Sequence, residues 1–235
     1  MTHALPPGLL DLLRTVDTPT VCNAIETAQG MRGFQGYTRS TMLCSAPTEP
    51  PVVGFAVTAR IAARIASDEA ADVVRARRMA YYRAMADGPR PTVAVIEDTD
   101  FPDCVGAFWG EINTTVHKGL GLAGALTNGV MRDLGDLAPG FPVVAGSIGP
   151  SHAFVRVTEV GTPVTIFGLT IAPGDLVHAD RHGAVIVPPD VAPGLADAIA
   201  GMRRAEAIIL QAARAPGFDF ATFESAWTAF ERART

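Results

Sequence analysis

After Asp133 the chain breaks into short apolar runs, at 141–145, 154–160, 164–167, 176–179 and 184–187, closed by turns at Gly161, Gly168, Pro173-Gly174 and His182-Gly183. Runs this short between Gly and Pro signals cannot be helices and read as β-strands. Ahead of Asp133 the pattern alternates. Helical spacing covers 7–15, 18–30, 67–87 and 110–119, and strand-like runs cover 52–61, 91–97 and 119–126. Thr18-Pro19 reads as an N-cap followed by proline at the first helical position. Ser67-Asp68-Glu69 reads as a helix start with acids at the positive end of the dipole. The stretch 30–51 reads as irregular. Two helices, 189–213 and 219–232, close the chain, divided at Pro216-Gly217. Phe220, Phe223, Trp227 and Phe230 recur at helical spacing and imply a core stripe or a subunit contact. Arg75, Arg77, Arg78 and Arg83 read as a solvated face. The expected fold is α/β, with a β-rich middle and helical extensions at both ends. At 235 residues one core suffices, so residues 1–235 are expected to form a single domain.

Composition removes several function classes. The net charge is −5 and no Lys/Arg-rich run occurs, so nucleic acid is not the expected partner. Cys22, Cys44 and Cys104 are odd in number and form no CxxC, which fits reduced thiols in a cytoplasmic protein. The opening residues, Met1 to Pro7, lack a basic segment and an apolar core, so no secretory leader is expected. No apolar stretch is long enough for a membrane span.

Three segments carry candidate chemistry. In the first, the apolar run 119–126 feeds Thr127-Asn128-Gly129-Val130-Met131-Arg132-Asp133. A strand that ends by presenting a guanidinium beside a carboxylate suits an anionic substrate and a metal ion. An ordinary helix start, with Asp133 as cap and Arg132 solvated, is the slightly preferred reading of these residues taken alone. In the second, Gly110-Glu111-Ile112-Asn113 follows a Gly- and aromatic-rich loop. A helix beginning there exposes free N–H groups that suit a carboxylate, with Glu111 placed to move a proton; an ordinary first-turn acid is the alternative. The third is His178-Ala179-Asp180-Arg181-His182, which has strand spacing for a metal but also reads as a hairpin turn whose Asp bonds the turn backbone. The turn is the preferred reading. Ser151-His152 lacks a nucleophile elbow. His117 reads as structural or surface, and His3 falls in a terminal tail. Asp98, Asp100 and Asp103 lack the closing Glu and Gly of a calcium loop.

In order, Pro19-Thr-Val-Cys-Asn-Ala24, Gly110-Glu-Ile-Asn113, Gly124-Ala-Leu-Thr-Asn-Gly129 with Arg132-Asp133, Phe141-Pro-Val-Val144 and Pro173-Gly-Asp-Leu-Val-His-Ala-Asp180 resemble the RraA-like family, which includes 4-hydroxy-4-methyl-2-oxoglutarate aldolases. The resemblance covers about 18–215, leaving a C-terminal helix, about 219–233, to pack on the core or on a neighbour. It implies a swivelling β/β/α three-layer sandwich assembled as a homotrimer or hexamer, with the site at the subunit boundary. It also implies a divalent-metal-dependent pyruvate aldolase that can decarboxylate oxaloacetate. Asp133 would hold Mg²⁺ or Mn²⁺, and Arg132 would contact the keto oxygen of a small 2-oxo acid. Gly110 and the N–H groups of Ile112 and Asn113 would hold its carboxylate. Glu111 falls where the aldolases carry an aspartate that holds a water on the metal. Asn113 stands where an apolar residue is usual, and is expected to add a substrate hydrogen bond; Asn128 stands where Asp is common. Lys118 is the single lysine, so Schiff-base chemistry would depend on it. Other members of the family bind and inhibit RNase E without known catalysis, which leaves a regulator-type binding module as the alternative.

Overall fold

The computed structural model describes residues 5–234; His3 lies outside them. Six helices are present among these residues: α1 Leu9–Leu13, α2 Thr18–Gln29, α3 Ala71–Asp87, α4 Glu111–Gly119, α5 Ala192–Arg214 and α6 Phe220–Arg234. The strands are β1 Leu43–Cys44, β2 Val52–Ala62, β3 Thr92–Asp98, β4 Ala107–Trp109, β5 Leu122–Thr127, β6 Val130–Met131, β7 Val143–Ala145, β8 Ser147–Ile148, β9 Arg156–Val160, β10 Val164–Ile166, β11 Leu169–Ile171, β12 Leu176–Asp180 and β13 Gly183–Val187.

The main sheet runs β1-β7-β5-β3-β2-β12-β13. Strands β2, β3, β5 and β7 are mutually parallel. Strand β2 is long enough to pair with β12 near its start and with β9 near its end, both antiparallel. A central parallel strand is apolar on both faces, and β3 shows it. Ala94 and Ile96 enter one core with Tyr81, Met85, Trp109 and Phe141. Val93 and Val95 enter another, roofed by the β10–β11 hairpin. A third core packs α1, α2 and α5 on Val53, Leu176, Val185 and Val187. The result is a mixed α/β, β/β/α sandwich with helices at both ends.

A small parallel sheet, β4-β6-β8, lies beyond the C-terminal ends of the main strands. The chain steps from β5 to β6 through Asn128-Gly129 and from β7 to β8 through Gly146. These crossings pinch together: Gly146 N–H and Ser147 N–H both donate to Gly129 O, and a Cβ on Gly146 would sit 2.3 Å from Asn128 O. Asn128 extends the main sheet with its side chain. Its Oδ1 accepts from Asp98 N–H at 2.7 Å and its Nδ2 donates to Asp98 O at 3.1 Å. An ionised aspartate there, which can only accept, could not supply both halves of that pairing.

Several sequence expectations shift. Asp17, not Thr18, caps α2, accepting from Thr20 N–H, and Gly30 ends the helix at φ 66°. Helix α3 begins at Ala71, past Ser67-Asp68-Glu69, and Glu69 is turned onto Arg77. Arg77 is therefore paired rather than freely solvated. The α6 stripe is not core: Ala226 is the buried residue, while Phe220 and Trp227 are exposed and the four rings follow one another along the helix in tilted contacts.

Candidate functional site

Strands β4 and β6 decide the site. Their parallel pairing, extended by Arg132 N–H donating to Trp109 O at 2.8 Å, sets Gly110 against Arg132-Asp133 across the intervening residues. Gly110 is extended, at φ −139° and ψ −170°, a conformation any residue adopts. Space favours glycine: a Cβ would lie 2.5 Å from Asp133 Oδ2 and 3.0 Å from Arg132 Nε, so those side chains would have to move.

Asp133 is not the start of its own helix. It sits at φ 54°, the left-handed region that Asp tolerates at some cost. Gly110 gives α4 no side-chain cap, and Asp133 serves in its place, its Oδ2 accepting from Glu111 N–H at 3.2 Å. The same oxygen lies 3.4 Å from Arg132 Nε. That contact falls short of a hydrogen bond, and Nε is buried without a hydrogen-bond partner. The next amides, those of Ile112 and Asn113, belong to the first helical turn, which α-helical geometry leaves without intrahelical acceptors; the first such bond runs from Thr114 N–H to Gly110 O. Unbonded N–H groups, the Arg132 guanidinium and the Asp133 carboxylate thus meet at one helix end, with Glu111 as the first residue of the helix. Glu111 and Ile112 are exposed.

The structure turns Asn113 inward. Its Nδ2 donates to Phe108 O and its Oδ1 accepts from Tyr82 OH at 2.6 Å. The side chain is therefore spent inside the protein, and its expected bond to substrate is not available; the main-chain N–H keeps that role open.

Among the described residues no group of three or more His, Cys, Asp or Glu side chains gathers as a metal site. Two hard carboxylates still fit Mg²⁺ or Mn²⁺, which take one or two protein carboxylates and leave other positions to water and substrate. Asp133 and Glu111 are the residues that could hold such an ion.

Asp180 ends β12 and His182 lies in the β12–β13 turn, while His178 sits inside β12, paired with Val185. Asp180 Oδ1 accepts from His182 N–H at 2.8 Å, and Oδ2 accepts from Thr18 N–H at 2.9 Å. His178 is fully buried, with Nε2 at 3.0 Å from both Leu13 O and Val16 O and Nδ1 at 3.0 Å from Thr18 Oγ1. Burial lowers its pKa. This histidine locks the α1–α2 corner to β12. His117 is likewise structural: Nδ1 bonds Asn113 O, Nε2 bonds Tyr81 OH, and burial pushes its pKa down to about 4. Ser151 and His152 each bond Ala153 backbone rather than each other. Asp100 accepts from Ala63 and Arg64 N–H, and Asp103 pairs with Arg64. Lys118 donates to Pro139 O. A groove of about 610 Å³ between α2, α5 and α6 shares no lining residue with the Gly110–Asp133 cluster. Sequence alone missed Tyr82 and the trans cap by Asp133; neither has a local signal.

Comparison with known proteins adds an independent finding. The profile of the RraA-like family, described as Aldolase/RraA, matches residues 18–186. The "Putative 4-hydroxy-4-methyl-2-oxoglutarate aldolase" of Halalkalibacterium halodurans is 29% identical over 112 residues, 47% of this chain and 52% of that protein. Protein DlpA of Legionella pneumophila is 30% identical over 105 residues, 43% of this chain and 17% of that protein. The chain therefore spans about half or less of the length of these curated relatives. Among solved structures, Streptomyces coelicolor RraAS2, described as an unusual member of the RNase ES inhibitor RraA protein family, superposes with TM-score 0.66 at 24% identity, covering 86% of this chain and 96% of that one. An uncharacterized protein from Pseudomonas syringae pv. tomato gives TM-score 0.66 at 22% identity, covering 98% of both chains. These likenesses establish the fold.

Proposed function

Because the chain belongs to the RraA-like family, we propose that it is a divalent-metal-dependent lyase of small 2-oxo acids. It would cleave a 4-hydroxy-2-oxo acid by retro-aldol chemistry, decarboxylate oxaloacetate, or do both. The observation that carries this reading is the close approach of Gly110 to Arg132 and Asp133, which supports first-turn amides, a cation and the Asp133 carboxylate acting together at the start of α4.

In this reading the N–H groups of Ile112 and Asn113 hold the substrate carboxylate at the positive end of α4. Arg132 faces the keto oxygen. As the C3–C4 bond breaks, its electron pair moves into C2–C3 and the carbonyl electrons onto that oxygen, giving an enolate beside the guanidinium. Glu111 takes the proton from the 4-hydroxyl and returns one to C3. Loss of CO₂ from oxaloacetate yields the same enolate and needs only the return. Asp133, with Glu111, would hold Mg²⁺ or Mn²⁺, which when bound supplies Lewis acidity to the developing charge. Asp133 also keeps α4 capped and the amides aimed. The partial match to a protein named as an aldolase supports the assignment.

The proposal includes a homotrimer or hexamer in the cytoplasm. Exposed Ile112, Ile148 and Phe154, at 73, 52 and 59%, on and near the small sheet support an interface beside the site. No helix among the described residues is long and apolar enough to cross a membrane. The test is pyruvate release from oxaloacetate and from 4-hydroxy-2-oxo acids, with Mg²⁺, Mn²⁺ or chelator. Metal-dependent turnover lost in Asp133→Ala supports the reading. Equal rates in wild type and variant would sink it and favour a binding module.

A further inference from the structure

Helix α4 begins without a side-chain cap of its own residue, on a β4–α4 elbow only one glycine long. First turns held this way fray. This one is tied down from outside. The Asn113 side chain reaches back across the elbow to Phe108 O, and Tyr82 on α3 donates its hydroxyl to the Asn113 amide oxygen at 2.6 Å. One residue earlier on α3, Tyr81 bonds His117 Nε2 at 2.6 Å, and His117 Nδ1 bonds Asn113 O at 2.6 Å. Since Nδ1 faces a carbonyl it carries the hydrogen, so Nε2 accepts and Tyr81 donates. Two adjacent tyrosines thus grip two successive turns of α4. Helix formation alone does not require this, because leucine at position 113 would propagate the helix as well. What the Asn113 staple fixes is the rotation of the first turn, and so the direction of the Ile112 and Asn113 N–H groups.

We propose that Tyr82 and Asn113 are a positioning pair that aims the first-turn amides of α4 at an anionic ligand, specifically the carboxylate of a 2-oxo acid. The proposal rests on the lyase reading for the identity of that ligand. Tyr82 acts through Asn113 and does not itself reach the substrate.

The test uses the full chain with Tyr82→Phe, Asn113→Leu and the double variant. The probes are pyruvate with Mn²⁺ present, Mn²⁺ alone, and oxaloacetate turnover. Removing the Tyr82 hydroxyl should weaken pyruvate binding and raise KM about fivefold, the scale of one net hydrogen bond, while kcat changes little, because the carboxylate is held equally in ground and transition states. Mn²⁺ affinity should not move. In the ligand-free protein the amides of 111–113 should exchange faster. Tyr82→Phe should add nothing in the Asn113→Leu background, as expected for one coupled unit. Unchanged pyruvate affinity together with unchanged amide exchange would overturn the pair. So would a parallel fall in kcat, Mn²⁺ affinity and thermal midpoint, which marks a merely structural role. A wild type that neither binds pyruvate nor turns over oxaloacetate refutes the lyase reading; faster exchange in the variants would then still support the pair, and unchanged exchange would refute both.

Discussion

Gly110→Ala separates close approach from backbone freedom. The backbone at Gly110 suits alanine, so no torsional penalty arises. The new methyl would stand 2.5 Å from Asp133 Oδ2, about 0.9 Å short of the 3.4 Å at which ordinary contact begins. Asp133 must move by roughly that distance, because the other close atoms, Arg132 Nε at 3.0 Å and Cγ at 3.2 Å, crowd the same side. The shift breaks the cap on Glu111 N–H, which costs about 1 kcal/mol, and overpacking adds about 1 kcal/mol or more. Reduced freedom of the unfolded chain returns about 0.5–1 kcal/mol. The melting temperature should therefore fall by only a few degrees. Activity should fall much further, since a misplacement of about 1 Å at a catalytic group costs roughly 100-fold. The control is Gly119→Ala at the other end of α4, where a Cβ meets nothing within 4 Å; it should leave both quantities unchanged or raise stability slightly. Thermal melts and metal-dependent oxaloacetate decarboxylation read both effects. A Gly110→Ala enzyme within about threefold of wild type in kcat/KM would refute the claim that this contact sets the site.

Other outcomes follow from the same contacts. Asn128→Asp removes the donor to Asp98 O and brings a second carboxyl to Asp98, whose own pKa burial already raises. It should cost roughly 2 kcal/mol or more, and less at pH 5 than at pH 8, because protonation relieves the repulsion; melts at the two pH values check this. His117, depressed to about 4, is neutral when folded but titrates near 6.5 when unfolded. The unfolded state binds the extra proton, so the stability present above pH 6.5 is lost as pH falls toward 4, by at most about 3 kcal/mol; His117→Phe should flatten that slope in acid melts. Burial pushes the Cys22 thiol to about 11, and burial with Asp98 pushes Cys104 to about 12. Native-state alkylation at pH 8 should therefore be much slower than in the denatured chain, and labelling kinetics test it.

Long elements were legible before the structure. The apolar runs that became β2, β3, β5, β12 and β13, and the helix stop at Gly30, follow from local periodicity and turn chemistry. Strands β4, β6 and β8 did not show, because each is two or three residues long and none was marked by its own apolar run between turn signals, as β7 and β10 were. The cap of α2 was misplaced by one residue because Asp17 and Thr18 are both good caps, and Thr18 is claimed instead by His178 and Asp180, some 160 residues away. The aromatic stripe of α6 has core-like spacing, yet its α5 neighbour buries only Ala226.

The candidate site divides along the same line. Local sequence was enough to mark Gly110-Glu111 as a helix start with free amides, and Arg132-Asp133 as a guanidinium beside a carboxylate at a strand exit, since both depend on neighbouring residues alone. It left open whether Asp133 caps its own helix or serves elsewhere. That was settled by the parallel pairing of β4 with β6, which bridges the 22-residue separation of Glu111 and Asp133 and lets one carboxylate cap the other segment's helix. The inward turn of Asn113 was equally beyond local reading, because its partner, Tyr82, lies 31 residues away on α3. Hydrogen-bonding capacity is written in each residue, but which capacity remains for a ligand depends on which partners the tertiary fold brings within reach.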